Sequence, residues 1–225
     1  MKNLFLIICI VFVLGYKIYP GEHTISLGFQ APFTLMTGES TKVVSSNVNI
    51  ADLVDVNYDK FIYSLGANIK GKFTGYSGWG GMFKTYFFFP YRMKNDITVS
   101  TRLLGGSSEN EYTDFDPAVI FGTGGGVVKR FYLNEIFCIA MDLGLELQLD
   151  VIEVDLYNLL MLNFGIFSGV MFEYHINKHL FMDAGINYDI LFGSGIYSYP
   201  KSDIKVTTGE IGFAILPSIS IGYKF

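Results

Sequence analysis

The sequence predicts an all-β chain folded as a transmembrane, antiparallel, up-and-down β-barrel of ten strands, with eight as the alternative. Three observations point there. Long segments alternate apolar and polar residues with period two, no internal apolar run is long enough for a membrane helix, and the composition is too apolar for a soluble protein of this size.

Half of the 225 residues are hydrophobic, 16% are aromatic and only 16% are charged, with 25 glycines and a mean hydropathy of +0.36. Part of this is one piece at the start, where Lys2 precedes an apolar stretch, "LFLIICIVFVLG", over 4–15. A short basic region before an apolar run of that length reads as a secretory signal peptide rather than a membrane span. Val13 and Gly15 fit the small positions of a cleavage site, so the domain division is a leader over 1–21 and a barrel over 22–225. The mature start falls between Tyr16 and Glu22. Cys9 lacks the small residues that precede a lipidated cysteine, and Cys138 alone in the mature chain forms no internal disulfide. A net charge of −5 and a pI near 5.2 exclude nucleic acid as a partner.

The longest later apolar stretch, "LLMLNFGIFSGVMF" over 159–172, is short and carries Asn163 and Ser168. A helical membrane bundle therefore finds little support. Strands are expected over 23–33, 42–56, 61–72, 80–92, 97–105, 117–131, 136–150, 158–175, 180–193 and 208–225.

The second alternates poorly, "TKVVSSNVNIADLVDV", and mixes Asp52 and Asp55 with valines; if it is loop, parity makes eight strands the fallback. The sharpest is 136–150, with Phe137, Ile139, Met141, Leu143, Leu145, Leu147 and Leu149 on one face and Asp142, Gly144, Glu146, Gln148 and Asp150 on the other. Segments 180–192 and 208–225 repeat the pattern. Each strong segment reaches the roughly 9 to 11 residues that a tilted membrane strand needs.

Turn residues fall into two kinds. Short polar clusters stand at 57–60 ("NYDK"), 94–96 ("KND"), 133–135 ("LNE") and 177–179 ("NKH"). Longer polar stretches run over 105–116 ("GGSSENEYTDFD") and 193–205 ("GSGIYSYPKSDIK"). Short turns alternating with long loops are the pattern of a transmembrane barrel, short on the periplasmic side and long outside.

In a barrel the apolar face meets lipid and the polar face lines the lumen. Aromatics near strand ends read as an interfacial girdle: Trp79, Phe87, Phe89 and Tyr91, then Phe131 with Phe137, Phe172 with Tyr174, and Tyr223 with Phe225. A soluble sandwich would present the polar faces to water, but it needs somewhere to bury all the phenylalanines. The lumen-facing charges are expected to be Lys70, Lys84, Arg92, Arg102 and Arg130 on one wall and Asp142, Glu146, Asp150, Glu173, Asp183, Asp189 and Glu210 on the other. A barrel of 8 to 10 strands is only just wide enough for side chains to fill it, so opposite walls can meet as ion pairs. The two readings are a plugged lumen and a narrow small-solute channel with oppositely charged walls.

Other motifs carry no chemistry. "GTGGGVVK" over 122–129 lacks the G-K-[ST] ending of a phosphate loop, and its glycines share one strand face, where they leave room for a bulky Arg or Tyr or permit a bend. His175 and His179 flank a turn with Glu173 near, and on a strand-turn-strand they point in unrelated directions. No histidine lies in the expected outer loops, so no catalytic site, cofactor or metal is expected.

The leader "MKNLFLIICIVFVLG", hairpins such as "GVMFEYHINKHLFMDAGINYDI" and the terminal "SISIGYKF" together resemble the small bacterial outer-membrane β-barrels of the OmpX, OmpA-barrel and OmpW type. The resemblance covers essentially the whole mature chain and specifies architecture rather than activity. It implies residence in outer-membrane lipid. It also implies that the last strand, with Ile219, Ile221, Tyr223 and Phe225, is the signal read by the barrel-assembly machinery. Phe225 is then the lipid-facing foot of a closing strand that pairs with the segment near 25–33. Two functions remain: a structural or surface-interaction protein whose loops over 105–116 and 193–205 meet a host surface or ligand, and a narrow transporter of small or hydrophobic molecules.

Overall fold

A computed structural model describes residues 21–45, 48–49, 54–101, 105–113, 115, 118–201 and 204–225. Among the described residues eleven strands occur: β1 (Gly21–Gln30), β2 (Phe33–Ser45), β3 (Val48–Asn49), β4 (Val54–Gly75), β5 (Trp79–Thr101), β6 (Gly105–Tyr112), β7 (Ala118–Tyr132), β8 (Phe137–Glu153), β9 (Asn158–His175), β10 (Leu180–Tyr199) and β11 (Ile204–Lys224). All pairings are antiparallel, and no helix occurs among the described residues.

The pairing returns on itself. From β1 it passes through β4, β5, β7, β8, β9, β10 and β11 and back to β1, a circuit of eight strands. Closure leaves no row of unpaired backbone groups along this circuit, which is what lets a sheet stand in lipid. The other strands extend it. β1 and β2 act as one wall strand interrupted at Ala31 and Pro32, because both lie between β4 and β11. Pro32 has no N–H to give, and the break is bridged when Ser64 N–H donates to Pro32 O (3.0 Å) and Ala31 N–H to Pro217 O (3.2 Å). β6 and β7 divide β5 in the same way, β7 taking its first half and β6 its second.

Several of the expected strand boundaries are corrected. The clusters at 57–60 and 94–96 are not turns: they face each other inside the β4–β5 pair, with Asp59 opposite Asp96 and Lys60 opposite Asn95. The segments expected separately at 80–92 and 97–105 are one strand as far as Thr101, and 42–45 belongs to β2. Polar residues were the misleading sign, because a backbone ladder needs only donors and acceptors, and strands continue beyond an apolar zone. For the same reason 105–112 and 193–199, expected as loops, are strand. Of the expected leader, only Gly21 lies within the described residues.

One end of the circuit carries Gly21, the first described residue, Phe225 and three short turns. The turn at 76–78 uses Gly78 at φ 77°, a left-handed value that favours glycine, and Gly78 N–H donates to Gly75 O at 2.9 Å. The turns at 133–136 and 176–179 share one chemistry. Asn134 Oδ1 accepts the Ile136 and Phe137 N–H groups, and Asn177 Oδ1 accepts those of His179 and Leu180, each at 2.8 Å.

The faces sort as the alternation requires. Along β8 to β11 residues are exposed and buried in turn. Leu143, Leu145, Leu162, Phe172, Ile219 and Ile221 point outward, while the carboxylates between them point inward. Apolar side chains outside and charges inside reverse a soluble protein and suit a lipid exterior.

Candidate functional site: the interior

The circuit encloses polar side chains in layers. At the short-turn end Glu173 receives Lys72 Nζ at 2.5 Å and Arg130 Nη2 at 2.6 Å. Arg130 reaches on through Nη1 to Glu22, whose other oxygen lies 2.6 Å from Lys224 Nζ. The chain Lys72–Glu173–Arg130–Glu22–Lys224 links β4, β9, β7, β1 and β11, and so ties opposite walls as well as the first and last strands.

In the middle layer Lys84 Nζ lies 2.7 Å from Glu146 and 3.3 Å from Asp189, and 3.9 Å from the centre of the Phe167 ring. Lys70 Nζ donates to Asn187 Oδ1 at 3.1 Å, and Ser220 donates to Asp183. Gly122 leaves the space that the Tyr86 ring occupies: a Cβ at 122 would stand 2.1 Å from that ring.

Above it, Lys60 Nζ pairs with Glu210 at 2.9 Å and donates to Tyr197 Oη at 2.9 Å. Glu210 also accepts from Tyr58, Thr208 and Tyr197. Gln148 and Asn163 donate to Asp150, and Tyr86 donates to Gln148 at 2.9 Å. Nearer the far end Asn95 donates to Tyr157 Oη at 3.0 Å, and Tyr157 packs against Tyr112, Tyr197 and Tyr199 over a buried apolar cluster that includes Met36, Met93 and Ile152.

A buried ion pair adds little net stability, because desolvation of both charges offsets their attraction; loss of one partner is costly because the other stays buried and unmatched. Stacked pairs reaching across the interior therefore fix which wall faces which.

Ten of the twelve expected lumen charges are buried inside: Lys70, Lys84, Arg130, Asp142, Glu146, Asp150, Glu173, Asp183, Asp189 and Glu210. Arg102 lies outside the described residues. Arg92 is a correction. Its side chain is 43% exposed and pairs with Glu111 of β6 at 2.6 Å. The cause is a bulge: Ser64 lies opposite Pro90 and Tyr63 opposite Arg92, so Tyr91 has no partner in β4. One extra residue inverts the alternation, from inward Lys84, Tyr86 and Phe88 to inward Met93 and Asn95.

Four charged participants were missed, among them Lys224, which shares the parity of Glu210 on β11. Lys60 was hidden in the supposed turn at 57–60 and Glu22 at the supposed cleavage point. Lys72 shares the parity of Lys70 on β4, which was signal enough to find it.

At the closing seam Ile219 pairs with Phe29 and Ile221 with Leu27, and Tyr223 pairs with Ile25. Phe225 N–H donates to His23 O at 3.0 Å, and its ring meets that of Tyr223 edge-on at 5.1 Å. All four residues face outward. The His179 ring stacks on Tyr223 at 5.5 Å, joining the last turn to the chain end.

No protein-family model matches the chain, and no curated protein matches it. Solved structures do. The outer-membrane protein OprG from Pseudomonas aeruginosa aligns with a TM-score of 0.51 at 13% identity, over 92% of this chain and 97% of that one. Neisserial surface protein A aligns at 0.44 and 9%, over 87% and 98%, and the attachment invasion locus protein Ail of Yersinia pestis at 0.41 and 15%, over 91% and 99%. At such identities the likeness speaks to fold alone. The fold is that of a transmembrane outer-membrane β-barrel.

Proposed function

We propose that the chain is an integral protein of the bacterial outer membrane with an ion-paired, closed lumen, serving as a structural or surface-interaction protein through the parts of its strands and loops that extend beyond the lipid. One observation carries this reading: from Glu22 to Tyr157 successive layers of buried ion pairs and packed tyrosines reach across the interior. A pore for solutes would have to displace each layer, exposing one partner of a buried pair at every step.

On this reading the end with Gly21, Phe225 and the short turns faces the periplasm. The ends of β6 and of the β10–β11 pair away from the short turns, within the expected loops over 105–116 and 193–205, face outward and offer the contacts to a host surface or ligand. The leader over 1–21 directs export, and Ile219, Ile221, Tyr223 and Phe225 form the strand that the assembly machinery reads.

Liposome swelling tests the closed lumen. Vesicles carrying the purified, folded protein are expected to exclude pentose-sized solutes as protein-free vesicles do, whereas solute-dependent swelling would favour a channel. Proteolysis of intact cells tests the orientation: cleavage between Glu109 and Thr113 is expected, and protection of that segment in intact cells with cleavage only after lysis would reverse it.

A further inference from the structure

The interior charges do not balance. Among the described residues five cations are fully buried against seven carboxylates, and the half-buried Glu22 and Lys224 at the short-turn mouth cancel each other. Among the described residues Asp142, Asp150 and Asp183 have no cationic nitrogen within 4.0 Å; Asp150 accepts from Gln148 and Asn163, whereas Asp142 and Asp183 stand in the middle layer. Both Asp142 oxygens and Asp183 Oδ2 are buried without a hydrogen-bond partner. Lys70, the cation that both carboxylates attract, spends its Nζ on Asn187 Oδ1.

An uncharged side chain at the same level repeats the deficit. Asn68 is 2% exposed, and neither its oxygen nor its nitrogen has a partner. It flanks Gly28, which pairs with Asn68 on one side and Ser220 on the other. A Cβ at 28 would stand 3.1 Å from Asn68 Nδ2 and 2.6 Å from Ser220 Cβ, so the amide looks across that glycine toward Ser220 and its acceptor Asp183. Over Gly169 two acceptors crowd together: a Cβ there would stand 2.5 Å from Asn187 Oδ1 and 2.7 Å from Asp142 Oδ1.

From these we infer that the middle layer is a binding site for an alkali-metal cation, held by Asp142 and Asp183 with the Asn68 amide and water completing the shell. Hard oxygen donors select a hard cation. Among the described residues no group of three or more His, Cys, Asp or Glu is placed to hold a metal ion, so the site lacks the carboxylate cage of a divalent ion. A monovalent ion with water ligands fits two carboxylates and one amide. It satisfies orphaned oxygens that would otherwise each cost free energy in the interior, and it makes the cation part of the closed lumen.

The test uses the full mature chain, refolded in detergent and verified by heat-modifiable migration. Thermal unfolding is compared in sodium, potassium, rubidium and choline chloride at equal ionic strength. The expected result is a midpoint that rises and saturates with the alkali ions, depends on ionic radius and stays flat in choline. Rubidium retained after gel filtration is expected to be stoichiometric.

Asp142→Asn should abolish both effects. Gly169→Ala, whose Cβ would push the Asp142 carboxylate from its position, should weaken them, while Asp155→Asn in the β8–β9 turn should change neither. Equal midpoints in alkali and choline chloride, with no retained rubidium, would overturn the site. So would a midpoint that responds to pH but not to cation identity, because protons would then be balancing the charge.

Discussion

Lys60 Nζ and the Glu210 carboxylate meet at 2.9 Å, and neither side chain has any solvent exposure. They come from β4 and β11, which flank β2 on either side, and the Tyr58, Tyr197 and Thr208 hydroxyls crowd the same carboxylate. Such a pair contributes to which walls face each other more than to net stability.

Replacing one partner should therefore be far worse than replacing both. Glu210→Gln is expected to destabilise the folded chain by about 3–5 kcal/mol, because it leaves Lys60 buried and unmatched. Lys60→Met with Glu210→Gln should recover most of that loss. Urea unfolding in lipid, run as a double-mutant cycle, measures the coupling; additive losses would show that the pair does not act as a unit.

The two arginines expected in the lumen should part company. Arg130→Ala removes a buried guanidinium shared by Glu22 and Glu173, and a large fall in the unfolding midpoint is expected. Arg92→Ala removes an exposed pair on the β5–β6 extension, and its midpoint should stay within the scatter of replicate measurements. Equal effects would place both arginines in the same environment and contradict the bulge at Tyr91.

Gly122 should tolerate no side chain. A Cβ there meets the Tyr86 ring at 2.1 Å, so Gly122→Ala is expected to cost about 1–3 kcal/mol through overpacking. Adding Tyr86→Leu should relieve that clash, whatever it costs on its own. The readout is again the urea midpoint. If Gly122→Ala stays equally destabilising in the Tyr86→Leu background, the glycine is needed for its backbone instead.

Much of this arrangement was readable before any coordinates. Along β8 to β11 the alternation is unbroken, so the parity of one residue gave the parity of all, and Asp142, Glu146, Asp150, Glu173, Asp183, Asp189 and Glu210 fell inside together. Legibility failed where a local event breaks the rule. One bulged residue at Tyr91 turned Arg92 outward, an effect visible only in the pairing with β4. At 57–60 polar residues resembled a turn because a lumen lining is polar too, and Lys60 was lost with them. The interruption at Pro32 hid that β1 and β2 are one wall strand, since only their shared partners reveal it.

The chain end offers a prediction about biogenesis. Phe225 donates its backbone N–H to His23 O, and its ring meets that of Tyr223 edge-on at the rim. Deleting it should lower the amount of protein in the outer membrane while leaving refolding in detergent unchanged. Fractionation beside in vitro refolding checks both halves. Normal membrane levels of the truncated chain would remove the assembly role.

Single-channel recording in planar bilayers tests the closed lumen most directly. Purified protein whose folded state is verified by heat-modifiable migration is predicted to give no reproducible conductance step, because the Lys60–Glu210, Lys84–Glu146 and Arg130–Glu173 layers stay in place across the interior. Reproducible unitary steps from the same folded protein would contradict the account and establish a channel.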